Sequence, residues 1–273
     1  MPVYPDLIRM SGIDPYHKYY NPNALDDFTF DSERPWQSRD VILSLGSHVI
    51  SDAQATVRRV NDAYRKFSEN VLIYVEDDYI VFETDNLPNH KSPYYDENNV
   101  LYEEYNGNNQ NFNLNPNKIL KQNIVMKVPA EPKESKTKTA TPLGAIGIAV
   151  NGVVFYNQYA GPNNKPLTNE INSFDQYNGH PQPQGAYHYH IEPLWLTSNL
   201  GKDAFLGFLN DGFPVYGPQE NGKDITNSDL DDYHGHFHKT DEFPDGIYHY
   251  HITKDNPYIN GDGFFGVVGT ISQ

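Results

Sequence analysis

Gly185-Ala186-Tyr187-His188-Tyr189-His190-Ile191 returns further along the chain as Gly246-Ile247-Tyr248-His249-Tyr250-His251-Ile252. The strict alternation of phenol and imidazole has a period of two, which is the period of a β-strand, where residues i and i+2 share a face. Each copy follows a Gly-His step: Asp175-Gln176-Tyr177-Asn178-Gly179-His180 before the first, and Asp232-Tyr233-His234-Gly235-His236 before the second. Two copies with insertions of different length describe a duplicated site within one domain, not a solenoid.

Outward from this pair the chain continues to read as β. Ala145 to Tyr156 runs AIGIAVNGVVFY, with Asn151-Gly152 between two apolar stretches, the signal for a two-residue type I′ turn. Asp211-Gly212 sits in the same way between Phe205 to Leu209 and Phe213 to Tyr216, although Pro214 directs that strand to an edge or irregular position. Leu72 to Val75 and Tyr79 to Phe82 flank Asp77 and Asp78 as a further hairpin. Residues 105–118 and 130–141 lack a strand pattern and read as surface excursions. With 21 Tyr, 14 Phe, 20 Gly and 20 Pro, the composition favours strands and turns.

The expected fold is therefore all-β, a β-sandwich or barrel-like domain over residues 71–273. Residues 1–70 precede it as an anchoring or assembly segment: an extended arm rich in Pro, Tyr, Asn and Asp over residues 1–45, then one amphipathic helix. Ser51 with Gln54 forms the capping-box signature of that helix, and Val57, Val60, Tyr64 and Phe67 recur at helical spacing.

The 20 Lys and Arg against 36 Asp and Glu give a net charge of −16, which repels phosphate backbones and argues against nucleic acid as a partner. There is no cysteine, so any transition-metal site has to be built from imidazole, carboxylate or backbone oxygen. Met1 to Met10 contains no basic run followed by an apolar stretch, and no segment reaches membrane-spanning length, so synthesis in the cytoplasm is the expectation.

Eight of the eleven histidines fall between positions 180 and 251. His188 and His190 share one strand face, as do His249 and His251, while Tyr187, Tyr189, Tyr248 and Tyr250 occupy the opposite faces. If the two copies meet in space, four imidazoles converge on one cation. His180 and His236, each behind a glycine, extend the ligand set, and Asp175, Asp231 and Asp232 are placed in sequence to fix imidazole tautomers. Imidazole ligation suits copper or zinc. For a single histidine a solvated or hydrogen-bonded strand residue is the commoner reading; repetition favours metal, because burying this many unpaired rings is unfavourable. His17 and His48 have no such company, and His234 and His238 in HGHFH serve as outer ligands or lie exposed. The SDLDD stretch over residues 228–232 lacks EF-hand spacing and reads as a solvated acidic loop.

The chain resembles the YHYH-domain family, whose tetrapeptide stands at Tyr187 to His190 and at Tyr248 to His251. Similar to the family pattern are also Leu87-Pro88-Asn89-His90, Asn115-Pro116-Asn117-Lys118-Ile119, Pro142 to Asn157, Gly179-His180-Pro181, Asp211 to Gly217, Asp229 to Asp232, Asn256-Pro257-Tyr258 and Phe265-Gly266. The resemblance covers about residues 72–270. It implies a single β-rich domain and adds His90 to the candidate ligands, without implying an established reaction. Family members often carry Cys near the Gly-His motifs, and this chain has none, which fits folding in a reducing cytoplasm.

Three functions compete on these residues. The preferred one is a non-catalytic metal-binding β domain, its ion stapling the repeats and its N-terminal region contacting other subunits of an oligomeric assembly such as a virus particle or surface fibre. The second is a copper- or other metal-dependent enzyme with an open coordination position. The third is a carbohydrate- or surface-binding module that uses Trp36 and Trp195 as stacking platforms.

Overall fold

A computed structural model describes residues 62–161 and 163–272. Eighteen strands appear in chain order. The first eight are β1 (Val71–Glu76), β2 (Tyr79–Thr84), β3 (Ile124–Pro129), β4 (Glu134–Ala140), β5 (Ala145–Ala149), β6 (Val154–Tyr156), β7 (Tyr159–Ala160) and β8 (Lys165–Pro166). They are followed by β9 (Gly179–Pro181), β10 (Tyr187–Tyr189), a helix α1 (Leu194–Leu200), β11 (Phe205–Leu209) and β12 (Pro214–Tyr216). The rest are β13 (Gln219–Glu220), β14 (Lys223–Asp224), β15 (Gly235–His238), β16 (Ile247–His251), β17 (Gly263–Gly266) and β18 (Thr270–Ser272).

The described chain is all-β around one short helix. An eight-stranded sheet runs β15-β16-β12-β11-β5-β6-β10-β9, and a four-stranded sheet runs β1-β2-β3-β18. Strand β3 and the first four residues of β1 alternate buried and half-buried residues, as expected for a sheet with one face on a core. Strands β5 and β11 are buried at every position, because both faces of the large sheet are covered where they lie. The two sheets share one core, in which Phe208 of β11 sits 5.9 Å from Phe82 of β2, 6.1 Å from Phe67 and 5.0 Å from Phe205.

The large sheet is its own repeat. Reading its strand order from either end exchanges β15 with β9, β16 with β10, β12 with β6, and β11 with β5. Both β6–β10 and β12–β16 are parallel, and the ribbon β7–β8 in the first half matches β13–β14 in the second. The halves meet at the antiparallel pair β5–β11, where Ile148 stands opposite Phe208, Gly147 opposite Leu209 and Gly207 opposite Ala149. The local dyad runs through that central pair. Glycine is required here because a Cβ on Gly207 (φ +152°) would lie 2.1 Å from the carbonyl oxygen of Ile148, and one on Gly147 2.5 Å from that of Phe208.

Both hairpins around the dyad form as the sequence predicts, but the turns differ in type. Gly152 N–H donates to Ala149 O at 2.8 Å and Gly212 N–H to Leu209 O at 2.9 Å, and only the glycine of each Asn-Gly or Asp-Gly step has positive φ. These are three-residue loops, a type I turn closed by a left-handed glycine, in place of the type I′ turn expected at Asn151-Gly152. Pro214 opens β12 in the interior of the sheet, not at its edge, since proline is tolerated as the first residue of a strand. Residues 134–140, expected as a surface excursion, form β4, an exposed strand that gains its pairing from β17.

Of the predicted N-terminal helix, Ser51, Gln54, Val57 and Val60 lie outside the described residues, as do His17, His48 and Trp36. Asp62–Lys66 forms a 3₁₀ turn. Ala63 and Phe67, on the N-terminal side of the expected boundary at residue 70, are buried in the core of the β domain. Trp195, on α1, packs its ring against Tyr177 (5.1 Å) and His90 (5.7 Å) as a partly buried residue beside the core. No helix among the described residues is long and apolar enough to cross a membrane.

Because Phe208 joins the two sheets at the dyad, Phe208→Ala is expected to destabilise the fold by about 3–5 kcal/mol. Denaturant unfolding measures this, and a loss under 1 kcal/mol would show that the sheets do not share this core.

Candidate metal centres

The alternation in the two tetrapeptides is held by the tyrosines. Tyr187 donates to Asp175 Oδ2 (2.8 Å), Tyr248 to Asp231 Oδ1 (2.8 Å) and Tyr250 to Asp211 Oδ2 (2.6 Å). The Tyr189 hydroxyl accepts from Asn151 Nδ2 and pairs with His90 Nε2, both at 3.1 Å. These phenols are buried, so each needs its partner, and anchoring them on one face turns the histidines to the other.

On that other face every YHYH imidazole has its tautomer set by a backbone carbonyl. The Nδ1–H groups of His188 and His190 donate to Ala186 O (3.0 Å) and Asn157 O (2.5 Å); those of His249 and His251 donate to Ile247 O (3.1 Å) and Gly217 O (2.8 Å). A carbonyl only accepts, so the proton belongs to Nδ1 and each Nε2 presents a lone pair. Yet His188 Nε2 lies 3.0 Å from His190 Nε2, and His249 Nε2 lies 3.1 Å from both His251 Nε2 and His236 Nε2. Lone pairs in contact repel unless a cation stands between them.

A proton does not fill that role near neutrality. Burial pushes the imidazolium pKa of His190, His249 and His251 down from 6.5 to about 4, and holds His180 and His188 well below the usual value. The geometry instead fits a metal. Ligands at 2.0–2.1 Å around a tetrahedral ion stand about 3.3 Å apart.

The structure sorts the ligands into two sets. His180, His188 and His190 form one, and Glu220, His236, His249 and His251 the other, with the ligand atoms of each set within 4.8 Å of one another. Each set combines a same-face pair on or just beyond one strand with a cross-strand neighbour, His180 opposite His188 and His236 opposite His249. In the second set Glu220 Oε1 lies 3.4, 3.5 and 3.8 Å from the Nε2 atoms of His236, His249 and His251, closing a four-cornered shell. Burial would raise the Glu220 carboxyl, but His236 and His238 beside it bring it below its ordinary value. In the first set the His180 Nδ1–H is taken by Ser173 Oγ (2.7 Å), whose own proton goes to Glu170 O. His180 Nε2 is left buried with no hydrogen-bond partner, and its nearest carboxylate oxygen is Glu170 Oε1 at 3.4 Å.

Several expectations change. The four YHYH imidazoles do not converge on a shared cation: β10 and β16 are five places apart in the sheet, about 24 Å at ~4.8 Å per strand. Each copy instead assembles its own set. His90 joins neither, because it lies on the tyrosine face with Nδ1 donating to Lys91 O (3.0 Å) and Nε2 taken by Tyr189. Asp175 and Asp231 hold phenols and turn N–H groups, not imidazoles. His234 precedes β15 with φ 73° and bonds Thr253 Oγ1 (3.0 Å), so it does not share the face of His236. The exposed His238 bonds Glu220 Oε1 at 2.8 Å and acts on the site through that carboxylate. Glu220 is the acidic member of the sets that sequence reasoning missed. The Asn221-Gly222 turn after Glu220 was a legible hairpin signal, but its fold-back onto the histidine face was not.

With this geometry the family relation acquires structural content. The model for the family described as YHYH protein matches residues 125–228 and 219–263, taking in both histidine sets. The chain belongs to the YHYH family. Comparisons with curated proteins and with solved structures return no match. In this YHYH protein the named tetrapeptide therefore has two jobs, its tyrosines bracing the strand and its histidines facing a candidate ion.

An unfolded chain takes up the histidine protons near 6.5, whereas the folded chain takes up those of His190, His249 and His251 only near about 4. Unfolding therefore binds protons between those values, and stability falls as pH drops through that window, by up to roughly 1.4 kcal/mol per pH unit for each ring. The denaturation midpoint of the metal-free protein is expected to decline steadily from pH 6.5 to 4.5; a flat profile would mean that these rings are solvated.

Proposed function

We propose that this YHYH protein is a transition-metal-binding β domain that carries one ion in each repeat, zinc or copper, in a structural capacity. One observation supports the reading above all others. Imidazole lone pairs of His188 and His190, and of His249 and His251, each fixed by an Nδ1 bond to a carbonyl, face one another at 3.0–3.1 Å inside the protein, an arrangement that a cation stabilises. Bound at Glu220, His236, His249 and His251, an ion would tie the ribbon β13–β14 to the strand pair β15–β16, and four protein ligands are the pattern of structural zinc. Bound at His180, His188 and His190, it would tie β9 to the end of β10.

A metal-dependent enzyme is favoured by one feature: among the described residues the first set offers three ligands, which leaves a position for substrate. Azide added to copper(II)-loaded protein tests it, since a new charge-transfer band that disappears in His188→Ala/His190→Ala would report an open position there. The composition of residues 1–61 supports their use in anchoring the domain within a larger assembly such as a virus particle or surface fibre.

Elemental analysis of untagged protein is expected to find two transition-metal ions per chain. His188→Ala/His190→Ala and His249→Ala/His251→Ala should each lose one, while His90→Ala keeps both. Chelation should lower the melting temperature by roughly 10 °C, corresponding to about 4 kcal/mol for ligand at a thousandfold excess over Kd. Metal-free protein as purified, with no uptake on reconstitution, would overturn the proposal.

A further inference from the structure

The two halves share strand order and pairing but differ at one position beside the histidines. Tyr156 corresponds to Tyr216, and the carbonyls of Asn157 and Gly217 play the same part for His190 and His251. On the ribbons that follow, Ala160 of β7 pairs with Lys165 as Glu220 of β13 pairs with Lys223. The anionic ligand of the second set is thus an alanine methyl in the first.

We infer, on the reading that both sets bind metal, that they take ions of different charge: His180, His188 and His190 a monovalent copper ion, and Glu220, His236, His249 and His251 a divalent zinc ion. The energy of moving an ion out of water grows with the square of its charge, so a dry site without an anionic ligand discriminates against a divalent ion far more than a monovalent one. The first set is dry, all three histidines being 2–3% exposed. Its walls are aromatic: the Tyr156 ring lies 3.8 Å from that of His188, and Phe174 lies 4.8 Å from His180 and 5.7 Å from His190. Three neutral imidazoles satisfy monovalent copper, a closed-shell ion content with three ligands, whereas zinc calls for a fourth. The unpartnered Nε2 of His180 supplies the third lone pair.

The second set also buries His249 and His251, but it differs in its anion and in the partial exposure of His236 and Glu220, whose side chains are 25% and 22% exposed. Glu220 brings a negative charge into the shell, and Glu220 and His251 line a cleft of about 560 Å³ that keeps water close to the ion. Among the described residues, Glu170 is the carboxylate that pairs with the first set. It touches His180 alone and does not come within the 4.8 Å span that joins the three histidines, so it is not placed as a ligand.

The test loads the full chain anaerobically with excess copper(I) and zinc(II) together, removes free metal by gel filtration and counts both elements. One copper and one zinc per chain are expected, with the copper absorption edge showing a three-nitrogen shell. Installing the carboxylate by Ala160→Glu should convert the first site to zinc, and Glu220→Ala should convert the second to copper, while Glu170→Gln should leave the ratio at one to one. Ala160 lies half-buried on a short outer ribbon, so its variant keeps the test decisive if Glu220→Ala misfolds. Two zinc or two copper ions in the wild-type chain, or an unchanged ratio in Ala160→Glu, would overturn the assignment while leaving two-site metal binding intact. Uptake of neither metal would overturn both.

Discussion

The alternation of buried phenols and imidazoles along β10 and β16 is the constraint from which the rest of this protein follows. Four tyrosine hydroxyls are held by Asp175, Asp231, Asp211 and the Asn151–His90 pair, and a strand so anchored on one face has no freedom to turn its histidines elsewhere. Backbone carbonyls then take the Nδ1 protons, and the Nε2 lone pairs of each strand are turned toward one another. A polar cluster of this kind is unfavourable when half satisfied and strongly ordering when complete. Its histidines are thus arranged to hold an ion in a way that isolated strand histidines are not.

The second organising feature is the dyad through Ile148 and Phe208. It turns one solution to the ligand problem into two, at opposite ends of a single sheet, and lets the central strands serve as common core. Symmetry of the backbone does not impose symmetry of chemistry. Asn151 in one half answers to Asp211 in the other, so Tyr189 accepts where Tyr250 donates. Ala160 answers to Glu220, so one shell is neutral and the other carries a charge.

Net charge and local charge act on different scales here. The chain as a whole is strongly acidic, at −16, and its long-range field attracts cations. On the proposed reading, selection among cations belongs to the immediate shell, where burial, the number of lone pairs and the presence or absence of one carboxylate decide the outcome.

Much of this was legible in the residues themselves. The strand character of both tetrapeptides, the assignment of Tyr and His to opposite faces, the hairpins at Asn151-Gly152 and Asp211-Gly212, and six histidines of the two sets all follow from local periodicity and turn chemistry. Three things did not follow. Whether the copies share a site or each closes its own depends on the strand order, which places four strands between β16 and β10. Glu220 enters only because the ribbon β13–β14 folds back onto β15 and β16, and His90 leaves because its loop docks on the tyrosine face. The physical reason is common to all three: a strand's period is set by backbone geometry over a few residues, whereas its neighbours are chosen by packing between segments far apart in the chain.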